Sequence, residues 1–142
     1  MPETITRAEL GALLNELLEA ERAGARLLSA WMAEAAPGSV FYQRLREVQR
    51  DEARNCAVLI HHILEAAALP SGLTGEFYDK GLRVQDWEAR LALLNRGQAW
   101  VARRIAAALP RLGPCAARDA LQEMHDSHLA NIARCDALIA PA

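Results

Sequence analysis

Apolar residues recur every three or four positions along four long segments of the chain, a spacing typical of amphipathic helices. These segments cover residues 6–36, 40–69, 86–110 and 115–139. The first begins at a capping box, Thr6-x-x-Glu9, and Ser39 is a plausible N-cap for the second. The pattern therefore predicts four helices of roughly 24 to 30 residues, each about 36 to 45 Å long.

The connections between these helices predict how they are arranged. The letters APGS at 36–39 and PRLGP at 110–114 are short turns, which make the helices on either side antiparallel neighbours. The middle connection, PSGLTGEFYDKGLRVQ, shows no helical period and could reach about 50 Å, the whole length of a helix. We therefore predict an all-α antiparallel four-helix bundle with one long crossover between helices two and three. An irregular loop that caps one end of the bundle is the alternative.

Polar residues interrupt the apolar stripe of every predicted helix near its middle. Glu21 stands in the stripe of helix one, and Glu52 and Asn55 stand in the stripe of helix two. The other two helices carry two such residues each: Asn95, Gln98, His125 and His128. Residues spaced three apart share one face of a helix, so all four helices should present polar groups to the core at a similar level.

Two chemical explanations fit these inward polar groups. A buried carboxylate without a partner costs several kcal/mol, and a divalent cation offers the compensating charge. Glu and His form a ligand set suited to Fe, Mn or Zn. Alternatively, Glu21 and Glu52 pair with His125 and His128 in a closed hydrogen-bond network that holds no metal.

The four-helix layout with a long middle crossover resembles the ferritin-like superfamily, most closely its rubrerythrin-like branch, over nearly the whole chain. The resemblance implies a metal centre with a Glu on helix one and one or two Glu on helix three. It also implies a Glu-x-x-His motif on both helix two and helix four. Glu21 matches the first position, Glu52 matches the Glu of helix two, and His128 matches the His of helix four.

The remaining positions depart from that pattern. Asn55 stands where the His of helix two is expected, and His125 stands where the Glu of helix four is expected. Asn95 and Gln98 occupy the carboxylate positions of helix three. We therefore predict a single Fe, Mn or Zn ion, with Fe favoured, held by Glu21, Glu52, His125 and His128. The three amide residues would orient these ligands or a bound water.

Charge, cysteine spacing and hydropathy bear on the partners, cofactors and location of the protein. The formal charge of −2 argues against a nucleic-acid partner, because counterion-driven binding requires a strongly basic surface. The three cysteines form no C-x-x-C pair, so neither a thiolate zinc cluster nor the Cys-rich electron-transfer domain of rubrerythrins is expected. Neither a membrane span nor a signal peptide is predicted, which favours a cytoplasmic protein.

These observations lead to two predicted functions for residues 1–142, which we interpret as one domain. The first is a metal-dependent oxidoreductase that reacts with oxygen or peroxide, with catalytic residues and small-molecule substrate still undefined. The second is a metal-free, catalytically degenerate bundle that serves as a structural or interaction module. A homodimer is expected in either case, since helices with Leu and Ala seams commonly associate.

Overall fold

The computed structural model describes residues 3–139, and regular structure in this range is entirely helical. The α-helices are α1 (Arg7–Met32), α2 (Val40–Glu65), α3 (Phe77–Leu82), α4 (Trp87–Ala108) and α5 (Ala116–Ile139). A short 3₁₀ turn, Leu109–Arg111, follows α4. The all-α fold class and the four long helices are therefore confirmed.

Three of the long helices begin at side-chain caps that the sequence contains. Thr6 and Glu9 form a reciprocal capping box at the start of α1. The Ser39 hydroxyl accepts a hydrogen bond from the Tyr42 backbone N–H at 3.1 Å, which begins α2. Asp86 accepts from the Ala89 N–H at 2.9 Å and begins α4. Each cap satisfies a backbone donor that the first turn of a helix leaves unpaired.

The middle connection contains a helix that the sequence did not predict. The six residues of α3 lie against α1, where Gly81 packs on the side chain of Leu27. The indole N–H of Trp31 donates to the Gly81 carbonyl at 3.4 Å. These tertiary contacts stabilise a segment whose own residues carry no helical period, so the expectation of an irregular crossover was wrong at this point.

The long helices associate mainly as two pairs, α1 with α2 and α4 with α5. The two pairs then meet through α1 with α4 and through α2 with α5. None of the helices in residues 3–139 is long and apolar enough to cross a membrane.

The core consists of two apolar clusters separated by a polar layer. One cluster packs around Leu17 and Ile105 and the other around Leu28 and Leu91. The layer between them contains buried polar side chains from all four long helices: Glu21, Glu52, Asn55, Asn95, Gln98, His128 and Asn131. This layer is the candidate functional site.

Candidate functional site

The centre of the polar layer is a direct contact between Glu21 of α1 and His128 of α5. Oε1 of Glu21 lies 2.5 Å from Nε2 of His128, and each residue is only 1% exposed. The other ring nitrogen, Nδ1, lies 3.2 Å from Oε1 of Gln98 on α4. The imidazole is therefore held from both sides, by a carboxylate and by an amide oxygen.

Glu52 of α2 brings a second buried carboxyl group to this layer. It is 5% exposed and lies against Gly24, one turn along α1 from Glu21. A Cβ atom at position 24 would lie 2.8 Å from the Glu52 carboxyl carbon, so a larger residue there would force this buried carboxyl group to move. Burial raises the pKa of Glu52 well above its ordinary value of 4.5, and the negative charges of Glu21 and Asp51 raise it further.

Several polar atoms in this layer are buried without a hydrogen-bond partner among residues 3–139. They include one carboxyl oxygen of each acid, Oε2 of Glu21 and Oε2 of Glu52. The amide nitrogen of Asn55 is also buried without a hydrogen-bond partner within this range. Buried polar groups are normally paired. Two unpaired carboxyl oxygens in one core layer therefore indicate that a cation or a hydrogen-bond donor could bind between these side chains and lower the cost of burying them.

The amide residues of α4 connect the imidazole to the molecular surface. Gln98 donates through Nε2 to Oδ1 of Asn95 at 3.4 Å. Asn95 in turn donates through Nδ2 to Oδ1 of the exposed Asp136 on α5 at 2.8 Å. The orienting role predicted for Gln98 and Asn95 therefore has a structural basis, whereas Asn55 stays outside this chain of contacts.

His125 does not join the group. Its side chain is about one-fifth exposed, and Nδ1 lies 3.0 Å from Oδ1 of the neighbouring Asp126, which itself is exposed. The buried stripe of α5 passes through Met124, His128 and Asn131, so Met124 takes the inward position one turn before His128 and His125 lies beside it at the flank of the helix. The structure thus buries Glu21, Glu52 and His128 in one layer but leaves the fourth predicted ligand at the flank of α5.

A cavity of about 650 Å³ leads from the surface to the carboxyl pair. Glu21, Glu52 and Gln98 lie among its lining residues, and Phe77 of α3 and Gly97 of α4 line it as well. The ring of Phe77 packs directly against Gly97, where an added Cβ would lie 2.9 Å from a ring carbon. The cavity thus reaches close to the two acids beside α3, while their unpaired oxygens stay covered.

The side chains present match the donor chemistry of a divalent metal ion. Two carboxylates and one imidazole would neutralise a doubly charged ion and leave coordination positions open on the cavity side. Nδ1 of His128 lies beside an amide oxygen, as the outer ring nitrogen of a metal-binding histidine commonly does, whereas Nε2 is in direct contact with Glu21 and would have to separate from it to bind an ion. As placed, however, no three His, Cys, Asp or Glu side chains within residues 3–139 form a group that could hold a metal ion.

Sequence reasoning missed Asp136, which anchors the amide chain from the surface. It lies eight residues after His128, close to two helical turns away, on an exposed part of α5. An exposed acid near the C-terminus of a helix gives no signal of this kind in a single sequence. Only the position of Asn95 on the neighbouring helix reveals the contact.

The fold and the site together define an all-α helical protein with a buried acid–imidazole centre. Residues 8–137 match the model of a family described as Domain of unknown function (DUF6306). The match covers most of the chain, so the protein belongs to this family. No curated protein and no solved structure gives a significant match.

Proposed function

We propose that this protein binds one divalent metal ion through Glu21, Glu52 and His128, with Fe favoured and Mn or Zn as alternatives. The observation that carries the proposal is the pair of buried carboxyl groups near one imidazole, because each carboxyl group has an oxygen that finds no hydrogen-bond partner within residues 3–139. Two acids in one apolar core repel each other and are costly to desolvate. A cation between them would remove both penalties at once.

The helix contacts support a ferritin-like topology for the bundle. In a four-helix bundle with one long crossover, each helix is adjacent to its hairpin partner, and helices one and three and helices two and four are adjacent as well, which leaves one with four and two with three on the diagonals. The contacts of α1 with α4 and of α2 with α5 agree with that arrangement. Such a bundle places inward side chains of all four helices around one central site.

The surrounding residues suggest how the site would be used. The cavity beside Phe77 gives small molecules access, and the apolar clusters above and below the polar layer keep bulk water away. A bound Fe or Mn ion would supply the redox chemistry of an oxidoreductase that reacts with oxygen or peroxide. Gln98 would hold the His128 ring in place while Gly24 leaves room for Glu52.

The second candidate function is a metal-free structural module. It is favoured by the direct contact between Glu21 and His128, which already gives each of these groups a partner. In this case Glu52 stays protonated and neutral, and the polar layer only sets the register of the helices. Protein–metal stoichiometry distinguishes the two candidates.

The test is elemental analysis of protein purified without chelators and without a metal-affinity tag, before and after reconstitution with Fe(II), Mn(II) or Zn(II). We expect about one ion per chain for wild type and a large loss for Glu21→Gln and His128→Gln, since each removes one ligand. Glu47→Gln, which alters a surface acid of α2, is the matched control and should keep the metal. Wild-type protein that holds no stoichiometric metal after reconstitution would overturn the proposal.

A further inference from the structure

The orientation of the Asn95 amide is set by the groups that face it. Its nitrogen lies 2.8 Å from a carboxylate oxygen of Asp136 and 3.5 Å from the backbone carbonyl oxygen of Ile132. Both partners only accept hydrogen bonds. If the amide were turned over, its oxygen would face two oxygens, one of them charged. Asp136 therefore holds the nitrogen of Asn95 toward the surface and its oxygen toward the core.

That orientation determines the next two hydrogen bonds. The inward oxygen of Asn95 requires a donor, and Nε2 of Gln98 supplies it at 3.4 Å. Gln98 must then present its oxygen to His128, 3.2 Å from Nδ1. An oxygen can only accept, so Nδ1 of His128 has to carry a hydrogen. The ring thereby directs Nε2 at Glu21.

We propose that Asp136 is a positioning residue that acts through Asn95 and Gln98 to place a hydrogen on Nδ1 of His128. The anchor is exposed, while the three side chains it controls are buried, so a surface charge sets the hydrogen-bond direction at the centre of the core. This directional effect does not depend on metal binding. The expected effect of Asp136 on metal affinity rests on the proposed function. A metal ion binds Nε2 only when this nitrogen carries no hydrogen, which requires the ring hydrogen to be on Nδ1.

The direct test reverses the charge of the anchor. In Asp136→Lys the ammonium donates instead of accepting, which turns Asn95 and then Gln98 over and presents Nε2 of Gln98 to the imidazole. Ring ¹⁵N–¹H correlation spectra of metal-free, ¹⁵N-histidine-labelled protein report which ring nitrogen is protonated, and His128→Gln identifies the signal among the four histidines. We expect a protonated Nδ1 in wild type and an unprotonated Nδ1 in Asp136→Lys.

The controls separate this effect from general damage. Glu123→Lys makes the same charge change at an exposed position of α5 and should leave the His128 signal unchanged. Asp136→Glu keeps an acceptor and should restore the wild-type signal. If circular dichroism shows that Asp136→Lys does not fold, Asp136→Ala replaces it, and a mixture of the two ring forms is expected. A folded Asp136→Lys, or in its place a folded Asp136→Ala, with Nδ1 still fully protonated would overturn the proposal.

A second readout connects this effect to the metal. Loss of a residue that orients a ligand typically lowers metal affinity about 10-fold to 100-fold, and we expect that range for Asp136→Lys and an affinity near wild type for Asp136→Glu. Isothermal titration with the metal that the wild type retains measures this change. If the wild type binds no metal, the proposed function fails, while the ring spectra still decide the role of Asp136. Unchanged affinity in Asp136→Lys would contradict the predicted link to the metal.

Discussion

Glu52 shows how much a single buried acid constrains this molecule. Its carboxyl group is buried in the polar layer, close to Glu21 and in the space that Gly24 leaves open. In the metal-free protein the neutral form of Glu52 is favoured, because the charged form would be poorly solvated and repelled by nearby acids. The protonation state of this residue therefore couples the stability of the protein to pH.

The raised pKa of Glu52 predicts how metal-free stability changes with pH. Above pH 4.5 an unfolded chain loses the Glu52 proton while the folded chain keeps it, so the free energy of unfolding falls as the pH rises toward the folded pKa. Glu52→Gln mimics the neutral form and removes this contribution. Urea unfolding from pH 4.5 upward should show a wild-type stability that declines relative to Glu52→Gln, whereas Glu47→Gln should follow the wild type. Parallel curves for wild type and Glu52→Gln would refute a raised pKa.

Gly24 offers a second test at the residue scale. Helix propensity alone predicts that Gly24→Ala adds about 1 kcal/mol of stability in a helix interior. The new methyl group would instead collide with the Glu52 carboxyl group, and overpacking of this kind costs about 1 to 3 kcal/mol. We expect a net loss of stability in urea unfolding, together with weaker metal binding. Gly38→Ala, with no atom within 4 Å of the added carbon, is the control and should be neutral or slightly stabilising.

Helical periodicity predicted most of the buried polar residues but not their contacts. It placed Glu21, Glu52 and His128 on inward faces because each replaces an apolar residue in a regular stripe. It also placed His125 inward, whereas the buried stripe of α5 passes through Met124 and His128 and leaves His125 at the flank. Asp136 could not be found in this way, since its role depends on a residue from another helix.

At the scale of elements, the sequence predicted where helices begin better than where α2 ends. The capping signals at Thr6 and Ser39 predicted the starts of α1 and α2, and the start predicted near Asp86 coincides with a cap that the structure shows. The end of α2 was not, because the apolar pattern continues to Leu69 while the helix ends at Glu65. Ala67 adopts the left-handed conformation with φ 59°, and the Ala68 N–H returns to the Ile63 carbonyl at 3.1 Å. That conformation normally calls for glycine, so the sequence carries no stop signal there.

Ala67→Gly should therefore stabilise the protein. An alanine in the left-handed region costs roughly 1 to 2 kcal/mol, and glycine removes that cost but adds freedom to the unfolded chain. We expect a net gain of about 0.5 to 1 kcal/mol in urea unfolding. Ala66→Gly, at the preceding residue whose φ is −83°, should lower stability instead. A destabilised Ala67→Gly would show that the end of α2 is not strained.

At the scale of the whole molecule, one polar layer divides the core into two apolar clusters. The clusters supply hydrophobic stabilisation on both sides, so the fold tolerates buried acids that would be costly in a smaller core. The sequence predicted this division because all four stripes are interrupted at a similar level. It did not predict α3, whose helix depends on packing against α1. The homodimer and the metal both stay predictions.

The most direct test of the central claim is the unfolding free energy of wild type and Glu52→Gln at neutral pH, each with and without the metal that reconstitution selects. Without metal, Glu52→Gln should be the more stable protein, because the wild type must regain a proton on Glu52 when it folds at neutral pH, whereas the amide needs none. With free metal at 100 times its Kd, wild type should gain about 2.7 kcal/mol and Glu52→Gln much less. A metal that leaves wild type unchanged, or that stabilises both proteins equally, would contradict a metal centre built on Glu52.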